Sequence, residues 1–143
     1  MTTINRSALL PYRPEQVFAL VNDIESYPLF MDGCVGSQIL RSEAGIIEAR
    51  LDLARAGIRQ SFATRNTLQP HHTIELELLE GPFERFTGLW QFIELGDMAC
   101  KVNLELEFYF NNSVLGAAAG KLFDSVSGGL VDSVGKRARQ IYG

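Results

Sequence analysis

An alternation of apolar and polar residues, running from Val35 to Phe110, most limits the folds open to this chain. The last part is clearest, since every second residue from Cys100 to Phe110 is apolar. Alternation of this kind puts the two sets on opposite faces of a strand. Turn residues divide the stretch into six expected strands, at 35–43, 46–55, 58–69, 73–80, 83–95 and 98–110. With a first strand over 2–10, the pattern predicts an antiparallel sheet of about seven strands with one buried face.

The apolar period changes to three and four residues after this stretch. Apolar residues from Ser113 to Gly143 that fall on one helical face include Leu122, Val126, Leu130, Val134, Ala138 and Ile141. One helix of this length would be about 40 Å long and could cross a small domain. Five glycines fall inside it, and each costs roughly 1 kcal/mol relative to alanine. These small residues either let the helix lie close to the sheet or leave it weak enough to shift for a ligand.

Two short helices are expected between the first strand and the rest of the sheet. Pro14 suits the first turn of one, and Pro28 ends it and begins a second segment that runs to Met31. We therefore expect an α+β domain spanning residues 1–143, in which a long C-terminal helix covers the concave face of a bent sheet. A helix across a curved sheet commonly leaves a cleft, and apolar clefts bind small ligands.

Composition indicates an ordinary globular protein and argues against a nucleic-acid binder. The chain is 46% hydrophobic and 21% charged, with a formal net charge of −4, so we expect no DNA partner. The N-terminal residues lack the order of a signal peptide, and no apolar run approaches a membrane span, which predicts a cytoplasmic protein. Cys34 and Cys100 are far apart, and we expect both to be reduced thiols.

No group of residues predicts catalysis or metal binding. His71 and His72 follow a proline in a turn without a third ligand at useful spacing, which is typical of a solvated turn. Cys34 follows a glycine and could lie at the mouth of a cleft, but no basic partner for a nucleophile can be identified near it in the sequence. We expect a structural thiol and no cofactor or metal.

Two glutamate pairs lie on single strand faces, Glu75 with Glu77 and Glu105 with Glu107. Each pair alternates with apolar residues, which places it on the solvated face of the sheet. Cross-strand pairing with Arg50, Arg59 or Arg65 would account for these carboxylates without catalysis.

Large aromatic residues face the helix that is rich in glycine and alanine. This arrangement fits either a filled core or an apolar pocket. Residue size favours the pocket. We expect it to be lined by residues from the early helices, the strands and the last helix, namely Tyr27, Phe30, Phe62, Trp90, Phe92, Phe108, Leu122, Phe123 and Val126.

Several motifs together resemble the bacterial coenzyme Q-binding (START-like) family. They are Pro11-Tyr12, Val17-Phe18, Leu20-Val21, Asp23, Tyr27-Pro28, Phe30, Cys34, Gly81-Pro82-Phe83, Gly88, Trp90, Phe92 and Asn112-Ser113. The most specific part is GPFERFTGLWQF, residues 81–92, and the likeness covers nearly the whole chain. Met31-Asp32-Gly33 departs from the pattern, because similar proteins often have Pro and Trp before the cysteine. If this corner gates the pocket, ligand preference would differ here.

The resemblance implies a helix-grip (START-like, Bet v 1-like) fold that holds a hydrophobic ligand without covalent chemistry. The implied ligand is a polyprenylated quinone such as ubiquinone, or another lipid, with the protein acting as carrier or chaperone in respiration and contacting membranes only transiently and peripherally. The alternative is a ribosome association toxin that binds the large ribosomal subunit, for which Lys136, Arg137 and Arg139 offer a basic surface. The family that the chain resembles belongs to the polyketide cyclase/dehydrase and lipid transport superfamily. A cyclase or dehydratase follows only from that superfamily's name, since the acid–base groups for enolate chemistry are missing.

Overall fold

Seven antiparallel strands form one sheet in the computed structural model, which describes residues 2–110 and 114–143. The strands are β1 (Thr2–Leu10), β2 (Cys34–Glu43), β3 (Ile46–Arg55), β4 (Ile58–Gln69), β5 (Thr73–Glu80), β6 (Phe83–Glu94) and β7 (Cys100–Phe110). Their spatial order is β1-β7-β6-β5-β4-β3-β2, so β2 to β7 form a meander and β1 pairs with its last strand. The predicted sheet is confirmed, and every strand boundary lies within two residues of the expected one.

The early helices connect β1 to β2. They are α1 (Pro14–Asn22), a short 3₁₀ turn (Ile24–Ser26) and α2 (Tyr27–Phe30). Pro14 begins α1 as expected, because a proline in the first turn loses no intrahelical hydrogen bond. The Tyr27 hydroxyl donates a hydrogen bond to the Val21 carbonyl oxygen, which ties α2 back to α1.

The C-terminal region forms two consecutive helices rather than the single long helix expected. They are α3 (Val114–Ser127) and α4 (Leu130–Tyr142), separated by Gly128 and Gly129. The Gly129 amide donates to the Val126 carbonyl oxygen, three residues back, so the α-helical ladder ends there. The predicted start at Ser113, and the Asn112-Ser113 motif, lie outside the described residues.

The break lets the two helices pack against different parts of the molecule. α3 lies across β3, β4 and β7, whereas α4 contacts mainly α1, α2 and β1, with a smaller contact to β7. Gly120 brings α3 close to the sheet, since a Cβ atom there would lie 3.3 Å from the Phe110 ring. Ile141 was expected on the buried face but is 51% exposed, because it lies in the last turn of α4, beyond Ala138, the last buried residue of that helix. None of the helices in the described part of the chain is long and apolar enough to cross a bilayer.

Six phenylalanines form one cluster where α3 meets the sheet: Phe62, Phe83, Phe86, Phe108, Phe110 and Phe123. Phe123 projects from α3 into it, with its ring centroid 4.6 Å from that of Phe108 in an edge-to-face arrangement. Such pairs add to the free energy gained by burial. The cluster fixes α3 on the sheet and forms one wall of the cavity described below.

Candidate functional site

A cavity of about 70 Å³ lies between the concave face of the sheet and α3. Strands β3 to β7 form its floor, and α3 with the start of α4 forms its roof. The 3₁₀ turn, α2 and the start of β2 close one side. The lining residues are Ile24, Tyr27, Met31, Cys34, Ala49, Leu51, Leu53, Phe62, Thr64, Asn66, Leu76, Phe86, Trp90, Leu104, Leu106, Phe123, Val126, Ser127 and Leu130.

Three of the polar side chains in this lining donate hydrogen bonds to backbone carbonyl oxygens. Tyr27 donates to Val21, the Cys34 thiol lies 3.3 Å from the Gly36 oxygen, and the Ser127 hydroxyl lies 2.7 Å from the Phe123 oxygen. These groups are therefore satisfied within the protein. They contribute shape to the cavity wall and little hydrogen-bonding capacity.

Thr64 and Asn66 are different because their side chains bond to each other. The Thr64 hydroxyl donates to the Asn66 Oδ1 atom over 2.7 Å, and both residues are less than 8% exposed. They lie on β4 with Phe62, and the period of two puts all three on the concave face. The apolar cavity therefore has one polar position on its floor.

The titratable groups in the cavity wall are neutral at physiological pH. Burial raises the pKa of the Tyr27 hydroxyl far above its ordinary value, and the nearby Cys34 and Asp23 add to the shift. Burial is also the main cause of the raised pKa of the Cys34 thiol. The lining contains no His, Asp, Glu, Lys or Arg among the described residues, and no group of His, Cys, Asp or Glu there could hold a metal ion.

The corner where this chain departs from the family motif lies at one side of the cavity. Met31 is buried in the lining, and Gly33 has a φ of +91°. A Cβ atom on Gly33 would lie 2.5 Å from Val126 Cγ2, so glycine allows this turn to touch α3. Arg55 joins the same parts, because its guanidinium lies 2.9 Å from Asp32 and 2.6 Å from Ser125 Oγ on α3.

Of the nine residues expected to line a ligand pocket, five contribute to the cavity wall. They are Tyr27, Phe62, Trp90, Phe123 and Val126. Their contact with a ligand stays a prediction.

The other four lie elsewhere. Phe92 packs between Phe18 and Trp90, and Phe108 lies inside the phenylalanine cluster. Leu122 faces a smaller cleft beside Phe83 and Phe110. Phe30 is half-buried under the Arg137 guanidinium, whose Cζ atom lies 5.3 Å from the ring centroid.

Sequence reasoning missed the polar pair on β4. Thr64 and Asn66 share the parity of Phe62, so the strand alternation could have placed them on the concave face. They were overlooked because polar residues at inward positions interrupt the expected pattern. Ala49 and Leu76 were missed for a simpler reason, since the expected lining was chosen mainly by aromatic size.

The remaining candidates lie away from the cavity. His71 is in a turn with a φ of +70°, and its ring packs edge-on against Phe18 at 5.5 Å. The four glutamates are exposed on the outer face, as expected. Of the arginines expected to pair with them, Arg65 lies directly across the strand pair from Glu77, although its ion pair is with Glu48. Arg50 pairs with Asp52 instead of with any of the four glutamates.

Comparison with known proteins identifies the relatives of this chain. The sequence profile of the family "Polyketide cyclase / dehydrase and lipid transport" matches residues 10–134. "Ribosome association toxin RatA" of Escherichia coli is 40% identical over 99% of this chain and 90% of its own length. "Coenzyme Q-binding protein COQ10 homolog B, mitochondrial" of Xenopus laevis is 23% identical over 97% of this chain and 59% of its own.

Solved structures confirm the START-like fold. An 18 kDa protein of Caulobacter crescentus is 31% identical, covers 100% of this chain and 99% of its own, and has a TM-score of 0.76. A START superfamily protein of Mycobacterium smegmatis is 22% identical over 97% of this chain and 98% of its own, with a TM-score of 0.81. The Zhui aromatase/cyclase of Streptomyces sp. R1128 is 16% identical over 97% of this chain and 94% of its own, with a TM-score of 0.86. The last two share the fold alone with this chain, and one of them is named as an enzyme.

Proposed function

The chain belongs to the polyketide cyclase/dehydrase and lipid transport family, and from this premise we propose that it is a non-enzymatic binding protein for a hydrophobic ligand. The observation that carries the proposal is the cavity under α3, whose wall is apolar except for a few hydrogen-bonded side chains. Apolar concavities with few polar groups are the usual form of small-molecule sites. A polyprenylated quinone such as ubiquinone is the ligand we propose, in a cytoplasmic protein that contacts membranes transiently.

The chemistry of the wall supports binding over catalysis. General acid–base catalysis needs a group whose pKa lies near the working pH. Tyr27 and Cys34 have raised pKa values and donate to backbone oxygens, so neither is poised to exchange protons at pH 7. A ligand here would be held and released unchanged.

The size of the cavity adds a condition to this function. Cavities of about 150 Å³ accept a benzene ring, and the volume here is about 70 Å³. A quinone ring therefore requires α3 to move away from the sheet. The Gly128–Gly129 break provides a point where α3 can change its direction without moving α4. Binding then selects an open conformation that is a minor state of the free protein.

Extraction of the purified chain tests the proposal directly. We expect mass spectrometry of the organic extract to find a near-stoichiometric isoprenoid quinone in the unsubstituted protein. Ala49→Leu adds three carbon atoms to the cavity floor and should abolish this ligand. Ala54→Leu is the matched control, because the same change on β3 lies on the opposite face of the sheet. A folded protein that carries no apolar ligand, and takes none up from added quinone, would reject the function.

A second candidate, association with the ribosome, is favoured by a specific observation. The relative named ribosome association toxin matches almost the whole chain at 40% identity. Lys136 and Arg139 are exposed on α4, and Arg137 beside them is half-buried over Phe30. Cations grouped on one surface can contact RNA phosphates even on an acidic chain, although three are few for this purpose.

Sedimentation with purified ribosomes tests this second function. We expect the chain to co-sediment with the large subunit at low salt and to dissociate as salt rises, because phosphate contacts release counterions. The double variant Lys136→Glu/Arg139→Glu should lose the association. The matched control is Arg59→Glu/Lys121→Glu, which reverses two exposed cations away from α4. Equal sedimentation of both variants would remove this surface from consideration, and no sedimentation at all would reject the function.

A further inference from the structure

The two polar side chains on the cavity floor, Thr64 and Asn66, are costly to bury unless they have a use. Their neighbours across the sheet are Ala49 and Leu78 beside Thr64, and Ile47 and Leu76 beside Asn66. An apolar residue at either position would complete the packed surface. Burying a hydroxyl or an amide in apolar surroundings is unfavourable unless its hydrogen bonds are made.

The hydrogen bond between Thr64 and Asn66 uses only part of the hydrogen-bonding capacity of the two side chains. A threonine hydroxyl offers one donor and two acceptor positions, and an asparagine amide offers two donors and two acceptor positions. The bond from Thr64 to Asn66 uses one donor and one acceptor position. The Asn66 amide nitrogen donates no hydrogen bond to any side chain or backbone group in the described part of the chain.

The free amide group is placed where a ligand could reach it. Asn66 lines the cavity and retains 7% of its exposure. Across the floor from Asn66 come Leu76 and then Gly88, since Asn66 pairs with Leu76 and Leu76 with Gly88. A Cβ atom on Gly88 would lie 2.8 Å from both Leu76 Cδ1 and Leu106 Cδ2. Glycine there leaves room for the Leu76 and Leu106 side chains, which line the cavity together with the polar pair.

Taking these observations together, we propose that Asn66, supported by Thr64, is the subsite that binds a neutral oxygen atom of the ligand. This inference rests on the proposed ligand-binding function and specifies the class of ligand. The ligand has an apolar body and an uncharged carbonyl, ether or hydroxyl oxygen that accepts a hydrogen bond from the Asn66 amide. Water can make the same bond in the free protein, and a ligand oxygen that replaces it preserves the bond.

The subsite selects against charged head groups. A buried carboxylate or phosphate needs a cation beside it. The described cavity lining contains no Lys, Arg or His, and the nearby Arg55 is already bonded to Asp32 and Ser125. Fatty acids and phospholipids should therefore bind more weakly than a neutral molecule of equal apolar size.

Trp90 makes the inference measurable. It is the only tryptophan in the chain and lines the cavity, so a quinone bound there should quench its fluorescence. We would titrate the full chain with a benzoquinone that carries a decyl group. Competition against this probe would then give the affinities of decylbenzene, which has no oxygen, and of dodecanoate, which is charged. The quinone should bind the unsubstituted protein more tightly than dodecanoate.

The decisive quantity is the ratio of quinone affinity to decylbenzene affinity. Asn66→Leu should lower this ratio about tenfold, the loss expected for one buried hydrogen bond, while decylbenzene binding holds or improves. Thr64→Val, which keeps the side-chain shape, should lower the ratio less. Asn103→Leu is the control, because it removes a buried amide that bonds to Gln91 on the outer face.

Three results would overturn the inference. An unchanged ratio in both Asn66→Leu and Thr64→Val would show that the pair has only a structural role. Dodecanoate binding as tightly as the quinone would reject neutral-ligand selectivity. Either outcome leaves the cavity as a hydrophobic site. If no probe binds the unsubstituted protein, the proposed function itself fails, and the subsite fails with it.

Discussion

At the scale of single residues, Trp90 distinguishes a core role from a ligand-binding role. Its side chain is 4% exposed and stacks on Phe92 with a centroid separation of 6.3 Å, yet its other side faces the cavity. Trp90→Ala should lower the free energy of unfolding by about 3–5 kcal/mol if it is mainly core. Urea denaturation would measure this. A much smaller loss, with quinone binding abolished, would show that Trp90 serves the ligand instead.

Three buried weak acids predict how stability depends on pH. Burial raises the pKa values of Tyr27, Cys34 and Cys100 in the folded chain. The unfolded chain therefore loses these protons first, at about pH 8.5 for cysteine and about pH 10 for tyrosine. Between the unfolded and folded pKa values the unfolded state binds fewer protons, so stability falls as pH rises.

Urea denaturation at several pH values between 7 and about 10.5 would measure this slope. Tyr27→Phe should be less stable at pH 7 because it loses the hydrogen bond to Val21, but its stability should fall less steeply in alkali. The control is Tyr109→Phe, on an exposed part of β7. A Tyr27→Phe slope equal to that of the unsubstituted chain would contradict the assigned burial of this hydroxyl.

At the scale of helices and strands, the Gly128–Gly129 break controls how easily α3 can leave the sheet. A Cβ atom at position 128 would lie 3.5 Å from the Asp124 oxygen, and one at 129 would lie 3.8 Å from the Val126 oxygen, so alanine fits both positions. Gly128→Ala/Gly129→Ala should stabilise the chain by about 1 kcal/mol, because the unfolded state loses conformational freedom. Thermal unfolding would measure the gain.

The same variant tests whether opening limits ligand entry. If α3 must change direction at the break, the alanines should slow the quenching of Trp90 by the decyl benzoquinone in stopped-flow measurements. Gly96→Ala is a poor control because Gly96 has a φ of +85°, which strains alanine. Thr87→Ala on the outer face is better. Equal entry rates in the glycine variant would place the moving segment elsewhere.

The elements differ in how far the sequence predicts them. Strand boundaries such as 46–55 and 58–69 were predicted correctly, because alternation and turn glycines act locally. The helix break was not predicted, since glycines 128 and 129 were counted as a cost within one helix. A glycine pair either weakens a helix or ends it, and the sheet contacts of α3 and α4 decide between these outcomes.

At the scale of the whole molecule, the site was only partly predictable. Phe62 and Phe108 both point to the concave face of the sheet, yet Phe62 lines the cavity and Phe108 fills the cluster beside it. Strand parity identifies the face, whereas the position of α3 decides which inward side chains meet a void. That position depends on contacts between distant parts of the chain, such as Gly33 with Val126 and Arg55 with Ser125.

The geometry also predicts that the two candidate functions are separable. The cavity lies under α3, whereas Lys136 and Arg139 are exposed on α4, which reaches the cavity only through Leu130. Ala49→Leu should therefore lose the quinone and still co-sediment with ribosomes. Lys136→Glu/Arg139→Glu should do the reverse, because reversing two exposed charges leaves the apolar lining intact. Trp90 quenching and sedimentation, measured on both variants, would show this double dissociation.

Loss of both properties in either variant would point to coupling between them. One element could then supply it, because α4 continues from α3 across the Gly128–Gly129 break. If the break transmits the movement of α3 instead of absorbing it, a ligand that moves α3 would also move α4, and so the basic surface. The quinone would then change the affinity for ribosomes by some factor. By reciprocity, ribosomes would change the affinity for the quinone by the same factor. Measuring quinone affinity with and without ribosomes would test this coupling, and an unchanged affinity would exclude it.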